Sequence, residues 1–158
     1  MKRISKDAYY LKIAQAVSQR STCLKRRYGA VIVKNDEIIA TGYNGAPRGE
    51  TNCCDVGFCK RLDKPSNSGD YSDCHSVHAE QNAIISASRS EMLGATMYLY
   101  GERLEYFPYC PPGTKLETAM HPVWTQLTAP EPCPICRRMI ANAGIIRVVT
   151  VAKCSDDE

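Results

Sequence analysis

A histidine, a glutamate and two cysteines carry the chemistry that this sequence could perform: His78-Ala79-Glu80 and, further along, Pro132-Cys133-Pro134-Ile135-Cys136. One neutral imidazole and two thiolates form the three-ligand set with which a catalytic zinc keeps its fourth position for water. Glu80 then falls beside that water rather than on the metal, where a carboxylate can take and return protons. The combination suggests hydrolysis. A Cys-x-x-Cys alone leaves a structural zinc ribbon, a redox motif and coincidence open, and the His-x-Glu is what argues beyond them.

These residues need elements to position them. Tyr10, Ile13, Ala14 and Val17 fall at helical spacing, which predicts an amphipathic helix over about Asp7 to Arg20. The β-branched run Tyr28 to Lys34 turns at Asn35-Asp36 and returns as Glu37 to Gly42, a hairpin. Tyr43-Asn44-Gly45-Ala46-Pro47-Arg48-Gly49 reads as a tight loop at the strand end, where binding groups commonly sit. From Thr51 to Asp73 the chain is polar and without periodicity, an excursion that a second metal could tie down. His78 to Arg89 reads as a helix whose first turn holds His78 and Glu80, so that its partial positive charge favours the carboxylate. A strand over Ala95 to Tyr100, a helix opening at Cys133 and closing at Gly144, and a strand over Ile145 to Ala152 complete the pattern. Helix, hairpin, helix, strand, helix, strand predicts an α/β or α+β layer with helices packed on a central sheet.

Composition bounds the choice. A chain of 158 residues suits one domain, 1–158, able to bury a core without disulfide staples. Met1-Lys2-Arg3 leads into a mixed helix pattern rather than a secretory leader, and no run approaches membrane-spanning length, so a cytoplasmic protein with no membrane partner is expected. Nine cysteines in such a chain are read as reduced thiols, several of them metal ligands. A net charge of +3 is too mild to announce a nucleic-acid polymer as partner but suits a small phosphorylated substrate. The basic run Lys25-Arg26-Arg27 is read as a solvated loop, with phosphate binding as the other reading.

His-x-Glu joined to Pro-Cys-x-x-Cys, both opening helices, is the pattern of zinc nucleobase deaminases. The chain resembles the cytidine and deoxycytidylate deaminase family, in its deoxycytidylate branch, from Ile4 to about Ala152. The resemblance is carried by Ser21-Thr22-Cys23, Gly29-Ala30-Val31-Ile32-Val33, Gly42-Tyr43-Asn44-Gly45-Ala46-Pro47, His78-Ala79-Glu80-x-Asn82-Ala83-Ile84 and Pro132-Cys133-x-x-Cys136. It implies a three-layer fold, a central mixed sheet with helices on both faces. It implies zinc on His78, Cys133 and Cys136, Glu80 as proton shuttle, and Asn44 against the substrate sugar. Arg89 stands where this branch often places a residue near the nucleotide, with an exposed helix-end cation as the equal alternative. The implied reaction takes dCMP to dUMP and ammonia, supplying dUMP for dTMP synthesis. The implied assembly is a homohexamer, activated by dCTP with Mg2+ and inhibited by dTTP through the loop of Gly42, Tyr43 and Gly45.

Two departures stand against that pattern. An insert at about 101–131 separates the Met97 strand from the Pro-Cys motif and could be a lid, an oligomer contact or a pocket wall. The chain also ends soon after the Ile145 strand, so a fifth strand must come from elsewhere or be absent. Cys23, Cys53, Cys59 and Cys74, with Cys54 and His75 nearby, could hold a second, structural zinc or be free thiols. Cys110 and Cys154 have no evident partner. The competing readings are a deaminase of another cytosine nucleotide or nucleoside, and a zinc-binding module without turnover.

Overall fold

In the computed structural model, residues 3–62, 64, 73–109 and 119–151 are described. Cys110, Cys154, the acidic end at 155–158 and part of the polar excursion lie outside them. The elements in chain order are α1 (Lys6–Ser18), β1 (Arg26–Lys34), β2 (Glu37–Tyr43), α2 (Cys53–Val56), α3 (Ala79–Ile85), α4 (Arg89–Met92), β3 (Thr96–Tyr109), β4 (Ala119–Gln126), α5 (Pro134–Ala143) and β5 (Arg147–Val149).

The apolar run of β1 has no polar face because both of its faces are covered. Ala30 and Ile32, with Met97 and Leu99 of β3, pack against Ala79 and Ala83 of α3 and Ile140 of α5. Val31 and Val33, with Tyr98 and Tyr100, pack against Tyr10, Leu11 and Ala14 of α1. Successive residues therefore point to opposite helical layers, and the expected three-layer arrangement follows from the pleat. The five strands form one mixed sheet in the order β2-β1-β3-β4, with β5 parallel to β3 and the other pairings antiparallel.

Two glycines set how closely the helices approach. A Cβ on Gly29 would stand 2.0 Å from the Ala14 carbonyl oxygen, and one on Gly42 would stand 2.3 Å from the Ala79 carbonyl oxygen and the Ala83 nitrogen. Each is a strand residue pressed against helix backbone, where a larger residue has no room. Gly29 seats α1 on one face, and Gly42 seats α3 on the other.

Asn35 and Asp36 turn the hairpin with positive φ of 50° and 68°, the backbone sense that two-residue hairpins require. The turn is fastened to α1: Lys6 Nζ donates to Asp36 Oδ2 at 2.7 Å and the Tyr10 hydroxyl to Asp36 Oδ1 at 2.7 Å. In the same first turn of α1, Arg147 of β5 forks onto the Asp7 carboxylate, which also accepts from the Tyr98 hydroxyl.

One expectation needs correction, and two open ones gain detail. The helix predicted to run from His78 to Arg89 stops at Ile85, because Ser88 caps a separate turn, α4, with Glu91 reaching back to it. The insert supplies the strand that was in question: β3 continues to Tyr109 and pairs with β4, Glu102 opposite Gln126 through Tyr109 opposite Ala119. Arg27 of β1 stacks its guanidinium 3.9 Å over the Trp124 ring, fastening β4 to β1. The polar excursion is partly ordered by α2, whose Cys54 nitrogen donates to the Thr22 carbonyl at 3.1 Å. Among the described residues no helix is long and apolar enough to cross a membrane.

Candidate metal centre and its cavity

His78 is the N-cap of α3, held in extended conformation, and its backbone nitrogen donates to the side chain of Gln81 at 2.9 Å. Val77, immediately before it, exchanges both backbone hydrogen bonds with Gly45. Asn82 adds a bond from Nδ2 to the Tyr43 carbonyl at 2.7 Å. Together with the close seat at Gly42, these fix the start of α3 to the end of β2.

Cys133 is the N-cap of α5, and its sulfur accepts from the Cys136 nitrogen at 3.4 Å. Pro134 opens the helix, where a missing N–H does no harm, and Gly144 closes it in the left-handed conformation. Both sulfurs thus sit in the first turn of a helix whose start faces the start of α3. His78 Nδ1 lies 3.4 Å from the Cys136 sulfur and 3.6 Å from that of Cys133. All three ligating atoms fall within 4.8 Å of one another, and among the described residues this is the group that does so.

The donor set fits zinc. Cys136 is fully buried, and burial, reinforced by the Glu80 carboxylate, pushes its thiol well above the ordinary range. Burial also pushes Glu80 up, against the pull of its own backbone N–H, His78 and Cys136. Sulfur and carboxyl groups packed together away from water resist ionisation until a cation arrives, and a divalent ion between one imidazole and two thiols supplies it.

This centre opens onto a cavity lined by His78, Glu80 and Cys133, by Tyr28 and Asn44, and by the cations Lys25, Arg26 and Arg61. Asn44 is buried, with its amide committed to the wall: Oδ1 accepts from Tyr28 N at 2.7 Å and Ser21 Oγ at 2.8 Å, and Nδ2 donates to Arg26 O at 2.9 Å. Gly42, Tyr43 and Gly45 lie along the strand end that supports α3 rather than in the cavity. Arg89 stands outside it, exposed, donating from Nε to the Asn142 carbonyl at 3.1 Å, since the early end of α3 puts it on a different helix from Glu80.

Cys23, Cys59 and Cys74 line the same cavity, and Cys53 lies close enough to all three to feel their charge. They do not bring three sulfurs within 4.8 Å of one another. Burial pushes the Cys23 and Cys53 thiols up. His75 and Cys54 are exposed. Sequence reasoning missed Tyr28, Ser76 and Arg61 as cavity residues. Arg61 sits in a stretch with no periodicity, and no signal in the sequence marks it.

Residues 4–152 match the family model described as the cytidine and deoxycytidylate deaminase zinc-binding region. A deoxycytidylate deaminase of Mycobacterium phage D29 is 36% identical over 155 residues, 94% of this chain and 96% of the phage protein. One of Schizosaccharomyces pombe is 46% identical over 99 residues, 62% of this chain but 30% of the yeast protein's length. Among solved structures, the dCMP deaminase of cyanophage S-TIM5 in complex with dCMP and dUMP superposes with a TM-score of 0.59 at 26% identity, covering 95% of this chain and 83% of that one.

Proposed function

The chain belongs to the cytidine and deoxycytidylate deaminase family, and from that premise we propose that it hydrolyses dCMP to dUMP and ammonia. The observation that carries the reading is the convergence of His78, Cys133 and Cys136 on one point beside the buried Glu80. A scaffold that only held metal would have no use for a buried carboxylate there, which disfavours a zinc-binding module without turnover. The D29 and S-TIM5 relatives, named for dCMP, favour that nucleotide over other cytosine compounds.

His78, Cys133 and Cys136 would hold the zinc, which when bound supplies Lewis-acid activation of water. Glu80 then does the proton work. Its carboxylate takes a proton from the water that attacks C4 of cytosine, hands it to N3, and delivers the second proton to the amino group as it leaves as ammonia. The buried setting that raises its proton affinity suits a group that must both accept and return a proton. Asn44, by tying β1 to the loop after β2, would keep in place the wall on which the nucleotide lies.

The proposal extends to the role of the product in supplying dTMP synthesis and to control by dCTP with Mg2+ and by dTTP in a homohexamer. Support for a regulatory loop at Gly42, Tyr43 and Gly45 is mechanical: it touches α3 through Gly42 and Asn82, so an effector there would shift Glu80. Cys23, Cys53, Cys59 and Cys74 would take a second zinc if the α2 segment closed on them. The chain is proposed to act as one domain, 1–158, with an insert at about 101–131 that carries β4.

Ammonia release should be measured in parallel from dCMP, CMP, dCTP, deoxycytidine and cytidine, on protein whose zinc per chain has been counted. Selective turnover of dCMP is expected; equal turnover of cytidine would move the assignment to a nucleoside deaminase.

A further inference from the structure

The metal donors come from two helices whose starts must keep their relative placement: His78 caps α3, while Cys133 and Cys136 open α5. Toward β2, the start of α3 is held by the Val77–Gly45 bridge, by Asn82 and by the close seat at Gly42. Toward α5 the packing is apolar, through Ala79, Ala83 and Ile140. Apolar contact has no direction, so it fixes the spacing of the helices better than the aim of a ligand.

Gln81 crosses that boundary. It stands three residues after His78, the position from which a glutamine reaches back to the helix cap. Its Oε1 accepts from the His78 backbone nitrogen at 2.9 Å, and its Nε2 donates to the Met139 sulfur at 3.8 Å. The donor at His78 dictates which end of the amide faces it, so the amino end is left for α5. Met139 follows Cys136 by three residues and therefore shares its face of α5. Gln81 is half-buried and does not line the cavity that Glu80 enters, since one helical step turns it about 100° away.

The two halves of the contact are unequal. The bond to the His78 N–H holds that residue in extended backbone, φ −73° and ψ 156°, from which its ring reaches both sulfurs. A thioether is a weak acceptor, so the Met139 half adds orientation rather than strength.

Resting on the zinc assignment above, we infer that Gln81 is a positioning residue for the metal. It fixes the His78 backbone and so aims the imidazole at the sulfurs of α5, which sets how tightly zinc is held and how it is coordinated. Water can reach the half-buried His78 N–H once the amide is gone, so the fold does not depend on Gln81.

The test compares wild type with Gln81→Met, which keeps the length and removes both polar ends, Gln81→Glu, which keeps the acceptor, and Met139→Leu, which removes the sulfur. Zinc affinity is read by competition with a chromophoric chelator, coordination by the visible spectrum of the cobalt(II)-substituted protein, and fold by the melting temperature of the metal-free protein. Gln81→Met should bind zinc about 10- to 100-fold more weakly, as for loss of a group that orients a ligand, with altered cobalt bands and metal-free melting near that of wild type. At saturating zinc it should lose kcat for dCMP while KM stays unchanged, because no cavity residue is altered. Gln81→Glu should restore the cobalt bands, which an added charge alone would not do. Met139→Leu should weaken zinc less than Gln81→Met does and add nothing in the Gln81→Met background. Unchanged zinc affinity and cobalt bands in Gln81→Met overturn the inference. So does a loss of affinity that Gln81→Glu fails to repair and that tracks a lower metal-free melting temperature, which would make Gln81 structural. If Gln81→Met does not fold, wild-type cobalt bands in Gln81→Glu support the inference and altered bands overturn it. Protein that shows the expected zinc pattern yet deaminates no cytosine compound would overturn the deaminase reading and leave the positioning role standing.

Discussion

His78 Nδ1 and the Cys136 sulfur lie 3.4 Å apart although 58 residues separate them in the chain. Two helix starts make that contact, each held by its own cap, and both helices rest on the same face of the sheet through Ala79, Ala83 and Ile140. The centre is therefore part of the packed core rather than an addition to a loop.

Metal removal should follow from this placement. Stripping zinc with a chelator should abolish deamination, and adding zinc back should restore it. The far-ultraviolet circular dichroism should stay near native, because α3 and α5 remain packed through apolar residues. Global unfolding on chelation would show instead that the ion holds the layers together.

Gly42→Ala should damage both stability and turnover. The added methyl meets helix backbone at 2.3 Å, so α3 must move, at about 1–3 kcal/mol. Gly29→Ala, pressed on α1 from the opposite face, should cost similar stability with less effect on kcat. Melting curves and kcat for the pair check this, and equal kcat losses would contradict the separation of the two faces.

Asn44→Ala removes the side-chain acceptor of the half-buried Tyr28 N–H and the amide donor to the Arg26 carbonyl. A loss of about 1–3 kcal/mol is expected by denaturant unfolding, as for stranded buried polar groups. A neutral result would mean that water replaces the amide.

The hairpin turn carries a pH dependence at both extremes. Hydrogen bonding to Asp36, then burial, raises the Tyr10 hydroxyl from 10.0 to about 12. A raised folded-state value means that its stabilisation is complete below pH 10 and is lost as pH rises through about 12. Lys6, then Tyr10, holds Asp36 below its ordinary value, so that contribution is present above the usual carboxylate range and is lost as pH falls through the lowered value. Tyr10→Phe should flatten the alkaline limb of stability against pH; an unchanged limb would assign it to other tyrosines.

Local chemistry made much of this legible in the sequence. Asn35-Asp36 specified the hairpin turn, Cys133 and Gly144 bounded α5, and the spacings of His78, Glu80, Cys133 and Cys136 identified the centre before any distance was known. What escaped depends on contacts remote in sequence. Ser88 ends the reach of α3 by offering a better cap to α4, which removes Arg89 from the site. The pairing of β4 with β3 is set by register across an insert with no clear alternation of its own. Arg61 enters the cavity wall because Lys25, 36 residues earlier, holds its carbonyl.

The most direct test of the account is to supply dCMP to wild-type protein and to Glu80→Gln, each with zinc per chain counted, and to follow ammonia and dUMP together. The account predicts equimolar ammonia and dUMP from the wild type. It predicts a fall of at least about 100-fold in Glu80→Gln, with zinc content and melting temperature retained. A zinc-loaded wild type that releases neither product, or a Glu80→Gln variant that deaminates as fast as wild type, would contradict it.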